Sequence, residues 1–184
     1  ATLSVNNVAV GYAAMDAMVG DDANNAGSSN IAIGVNALVG GAFSSSIALL
    51  GNIAIGTNSL NSTAANAQTG TIAIGYSALT ALTSGARNIA IGYIATTDME
   101  QGDDNIAIGY QALSGATDTD GIDKNIAIGN QALAGANAGA ANNVAIGYQS
   151  LDGSMTSTAD QNVGIGSYTG TSITSGYNNT LVGF

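Results

Sequence analysis

Apolar residues return along this chain in short bursts, each led by a polar residue and closed by Gly, as in Asn105-Ile106-Ala107-Ile108-Gly109. Counting the leading residue as position zero, ten copies begin at Asn7, Asn30, Asn52, Thr71, Asn88, Asn105, Asn125, Asn143, Asn162 and Asn179, 17 to 23 residues apart. A fixed pentapeptide with an elastic remainder marks a repeat architecture in which each unit makes one coil. Positions one and three are β-branched in every copy, from Val8 and Val10 to Thr180 and Val182. Such side chains favour a pleated backbone, so each copy predicts a short strand. Position four is Gly throughout: Gly11, Gly34, Gly56, Gly75, Gly92, Gly109, Gly129, Gly147, Gly166 and Gly183. That column predicts a turn whose backbone needs positive φ or lies too close to its neighbour for a Cβ.

Position two is Ala in eight copies: Ala9, Ala32, Ala54, Ala73, Ala90, Ala107, Ala127 and Ala145. Strand alternation sends it to the face opposite positions one and three. Neither face is polar, so both are expected to be covered. The larger β-branched residues are assigned to the coil interior, and the Ala column to an inter-chain face against another copy. After the Gly comes Tyr-Gln-Ala-Leu or a variant, as at Tyr110 to Leu113, with position seven always small and position eight usually Leu or Met. This reads as a second short strand whose Leu closes the interior, since runs of four cannot sustain a helix. Phe43 and the run Ile47-Ala48-Leu49-Leu50-Gly51 between two copies read as a decayed extra copy of the motif or as an apolar flap, and the lack of a preceding Asn favours the flap. The whole, residues 1–184, is expected to be one all-β domain, a parallel β-solenoid of about ten coils.

The absence of His and Cys removes Ser-His-Asp and Cys-His catalysis and the usual zinc ligands. No enzymatic activity and no cofactor are expected. A net charge of −10, with Arg87 and Lys124 as the only cations, leaves no basic footprint for nucleic acid. No 18-residue apolar run exists, so no membrane insertion of this segment is expected. The carboxylates fall in the connections and would line one edge as an acidic ridge, whose plainest role is solubility. Asp118, Asp120 and Asp123 are weak candidates for Ca²⁺. Arg87 and Lys124 both immediately precede a motif Asn, which predicts equivalent solvent-facing sites. Tyr76, Tyr93, Tyr110 and Tyr148 recur at position five, as a ligand platform for a sugar or partner protein or as packing against a neighbouring chain. The Asn column predicts a ladder of stacked amides.

The run Asn105 to Leu113, Asn-Ile-Ala-Ile-Gly-Tyr-Gln-Ala-Leu, resembles the head repeats of trimeric autotransporter adhesins of the YadA type, and also repeats in bacteriophage tail fibres. The resemblance covers all ten copies. It implies a left-handed parallel β-roll with three chains side by side, outside the cell at a cell or virion surface, attaching to a host-cell or matrix ligand. The units here are longer than in the adhesins, and no neck, stalk or anchor pattern is legible within these 184 residues. Self-association as a homotrimer or filament is the expected partnership. No capping unit is legible at Phe184, so continuation into a longer fibre or stacking on that end is expected.

Overall fold

The structure is a computed structural model that describes residues 6–16, 27–40, 49–62, 68–115, 122–136, 139–156 and 158–184. All of its regular elements are short strands: β1 (Val8–Val10), β2 (Gly27–Ser28), β3 (Ile31–Ile33), β4 (Leu49–Leu50), β5 (Ile53–Ile55), β6 (Gln68–Thr69), β7 (Ile72–Ile74), β8 (Ile89–Ile91), β9 (Ile106–Ile108), β10 (Ile126–Ile128), β11 (Val144–Ile146), β12 (Val163–Ile165) and β13 (Thr180–Val182). The ten motif strands form one parallel sheet in the order β1-β3-β5-β7-β8-β9-β10-β11-β12-β13, and β2-β4-β6 form a second, smaller one. Register is strict: Ala107 pairs with Ala90 on one side and Ala127 on the other, with Ile on Ile to either flank. The fold is therefore the expected parallel β-solenoid.

Coil-to-coil hydrogen bonding does not stop at the strand ends. The N–H of Gly109 donates to Ile91 O at 2.8 Å, that of Gln111 to Tyr93 O at 3.2 Å, and that of Leu113 to Ala132 O at 2.9 Å. Positions five to eight nevertheless do not form the second strand expected of them. Positions six and eight take positive φ coil after coil, as in Gln111 (52°), Leu113 (52°), Gln131 (55°) and Leu133 (54°). Alternating left-handed residues curl the backbone into a turn where alternating extended ones would have kept a strand. The closing role assigned to the Leu column does hold, for Leu38, Leu60, Leu79, Leu113, Leu133 and Leu151 are fully buried.

The position-four glycines satisfy both conditions that would demand Gly. Gly109 has φ +138°, and a Cβ built there would overlap the carbonyl of Gly129 one coil along. The same clash repeats down the column, so the glycines form a ladder of backbone in direct contact.

The assignment of the strand's two faces is reversed. Ala32, Ala54, Ala73, Ala90, Ala107, Ala127 and Ala145 are buried within the single chain, and they face the coil interior rather than a partner. Ala9, in the first strand, is exposed at the end of the stack. The cause is volume. Position two packs against the Leu wall: a Cβ on Gly164, the residue that replaces Ala in β12, would sit 2.7 Å from Leu151 Cγ and 2.8 Å from Ser150 Oγ. Leu entering from one wall leaves room only for a methyl on the other, and position seven is held small for the same reason. The β-branched residues therefore point outward.

The run read as an apolar flap is in its described part a wall of the coil. Leu49 is fully buried and β4 pairs with β2 and β6, leading straight into Asn52. Phe43, Ile47 and Ala48 lie outside the described residues, as do Asp118 and Asp120.

Candidate functional site

The outward face of the main sheet carries exposed apolar side chains that the coil interior does not use. Position-three residues Ile33, Ile91, Ile108, Ile128, Ile146 and Ile165 all retain 36–39% of their accessible surface. Position-one residues beside them, such as Ile106 and Ile126, are half-buried. Position five adds Tyr76, Tyr93, Tyr110 and Tyr148, exposed by 40–53%. Tyr76 stacks on Tyr93 with ring centroids 5.2 Å apart, and Tyr93 on Tyr110 at 5.8 Å, both nearly parallel. Asn130 interrupts the column, and beyond it Tyr148, Tyr168 and Phe184 meet edge to face. The neighbouring Tyr168 hydroxyl holds the Tyr148 phenol above its ordinary pKa. The face is thus two β-branched columns in register beside a largely aromatic one broken at Thr57, Asn130 and Ser167, with no charged residue among positions one, three and five.

The Asn column fixes that register from inside. Asn125 Nδ2 donates to Asn105 Oδ1 at 3.3 Å and to Ala140 O at 2.9 Å, while its Oδ1 accepts from the N–H and Nδ2 of Asn143 at 2.9 and 3.2 Å. Every donor and acceptor of the amide is satisfied, which makes a buried polar column tolerable. The expected ladder is present, and its unforeseen part is the bond across the corner of each coil. Thr71 breaks it. Its Oγ1 is buried without a hydrogen-bond partner, as is Oε1 of Gln68 three residues earlier.

The acidic edge is built into the backbone ladder. Asp103, Asp123 and Asp160 each stand two residues before a motif Asn. They accept from the N–H of Ala86, Asp103 and Ala141 in the preceding coil, at 2.7–2.8 Å. Asp123, a candidate Ca²⁺ ligand, thus spends one oxygen on the fold. Among the described residues no group of three or more His, Cys, Asp or Glu is placed to hold a metal ion. Arg87 and Lys124 do occupy equivalent exposed positions. Arg87 binds Asp104 through two nitrogens at 2.6 and 2.9 Å, and this holds the Asp104 carboxyl below its ordinary pKa. Burial raises the Asp152 carboxyl.

No protein-family model, curated protein or solved structure matches the chain. The functional reading therefore stands on the geometry and on the repeat itself. Among the described residues no helix is long and apolar enough to cross a membrane.

Proposed function

We propose that this chain is a segment of a structural, adhesive fibre, assembled by self-association through its outward Ile/Val/Tyr face and displayed at a cell or virion surface for attachment. The observation that carries the reading is the exposed apolar face that the Ile and Val columns and most of the Tyr column make in register. Ten strands at about 4.8 Å spacing, with positions one to five spanning about 13 Å, make a strip of roughly 550 Å² before side-chain relief is counted. That is at the upper end of the largest apolar patch on an ordinary monomer and about two-thirds of one partner's share of a standard interface. A repeating strip suits a partner with the same repeat, because matching columns interdigitate along its length. The choice of three chains comes from the resemblance to adhesin head repeats, and the rod-like build suits a shaft that holds a target-binding surface away from its base.

The test is the mass of the particle in solution. Light scattering at micromolar concentration is expected to give about three times the 17.9 kDa of one chain. The double variant Ile108→Lys, Ile128→Lys is expected to run as a monomer with its β circular dichroism intact. A wild-type chain that stays monomeric and folded at high concentration overturns the proposal.

A further inference from the structure

The edge of the solenoid two residues before the motif Asn carries Ala86, Asp103, Asp123, Ala141 and Asp160 on successive coils, and then Tyr177. The change of residue type has a local consequence. In this column a backbone N–H is taken up by the carboxylate of the next coil, as Asp103 N–H is by Asp123 Oδ1 at 2.8 Å. Asp160 has Tyr177 as its next neighbour, and its own N–H finds no acceptor among the described residues. One Asp160 oxygen accepts from Ala141 N–H at 2.8 Å, and the other is free of hydrogen bonds among those residues. The Tyr177 ring is 70% exposed. It borders an open cleft of about 560 Å³ lined also by Thr158, Asp160, Gln161 and Asn178. The coils on either side of the cleft are tied by Asn178 N–H to Asp160 O at 3.2 Å, so it has a fixed floor.

We propose that this cleft binds a neutral saccharide. A pyranose presents an apolar C–H face and a rim of hydroxyls that each donate and accept. Tyr177 offers an aromatic face for the first. For the second, the lining residues Thr158, Asp160, Gln161 and Asn178 bring a hydroxyl, a carboxylate and two side-chain amides to the same cleft, a mix of donors and acceptors that hydroxyl groups satisfy together. A cationic ligand would use the ring and the carboxylate but leave the donors idle. An anionic sugar would meet Asp160 and a net charge of −10. The volume falls in the range of small-molecule sites.

This assigns a ligand class to the attachment part of the reading above and rests on it only for the saccharide's being displayed on a surface. Failure of the two is distinguishable, because Tyr177 lies outside the Ile/Val/Tyr columns and the monomeric Ile108→Lys, Ile128→Lys variant keeps the cleft. The experiment is capture of the labelled full chain on immobilised oligosaccharides, one set neutral (hexoses and N-acetylhexosamines) and one sialylated or sulfated. Retention on one or more neutral glycans is expected, with a loss of about tenfold for Tyr177→Ala and a smaller loss for Asp160→Asn, which keeps the oxygen that Ala141 uses. Lys124→Ala, at an exposed position outside both the cleft and the apolar face, should bind as the wild type does. Circular dichroism checks that each variant is folded. No capture on any neutral glycan, capture unchanged in Tyr177→Ala, preference for the anionic set, or displacement by tetramethylammonium each overturns the proposal.

Discussion

At the scale of single residues, the ladder states its own rule by the place where it fails. Thr71 keeps one bond of the column, its N–H donating to Asn52 Oδ1 at 2.9 Å, but it offers Asn88 no amide oxygen and buries a hydroxyl without a partner. Thr71→Asn restores both the acceptor and the donors at a site where the backbone is already set. A net hydrogen bond contributes about 1 kcal/mol and relief of a buried orphan a similar amount. The variant is therefore expected to unfold at higher denaturant concentration with an unchanged m-value. The Gly column gives the opposite case. Gly109→Val adds a branched side chain at φ +138° where a Cβ already overlaps Gly129 O. The expected loss is about 3 kcal/mol or more, from backbone strain and a forced gap between coils. Chemical denaturation checks it, and a variant as stable as wild type would mean that neighbouring coils do not touch there.

At the scale of the element, the motif strand shows what was readable in advance and what was not. Strand position, Gly turn, Asn ladder and Leu closure all follow from residue type at fixed spacing, because each depends on backbone preference or on one kind of hydrogen bond. Which face points inward does not follow from apolarity, since Ile106, Ala107 and Ile108 are all apolar. It follows from space. The usable signal was that position two and position seven are both held small while position eight is Leu, which is how two opposed walls look when one large residue fills the gap. Tyr-Gln-Ala-Leu read as a strand because nothing in those residue types announces positive φ at Gln111 and Leu113; it is imposed by the coil. The cleft at Tyr177 was hidden because it needs residues from two coils. The face assignment is tested within one strand. Ala127→Arg drives a charge into a fully buried column and is expected to unfold the coil, with loss of the β signal. Ile128→Arg, one residue on, is expected to leave the fold intact and weaken assembly. The reverse pair of outcomes would restore the Ala column as the interface.

At the scale of the whole molecule, two opposing forces decide whether chains come together. Burial of the Ile/Val/Tyr strip favours association, at about 25 cal/mol for each Å² of apolar surface removed from water. Charge opposes it, because every chain carries −10 and bringing copies side by side sets like charges within a few tens of ångströms. The apolar term is almost indifferent to simple salt at moderate concentration. The repulsion is not, since the screening length falls from about 30 Å at 0.01 M to about 8 Å at 0.15 M. Self-association should accordingly tighten as sodium chloride rises over that range, seen in sedimentation as a shift toward the assembled species at lower protein concentration. Asp104 and its Arg87 partner sit off the strip, so Asp104→Asn should leave the salt response in place. An assembly held by charge complementarity would weaken with salt instead, and that result would move the interface from the apolar strip to the acidic edge.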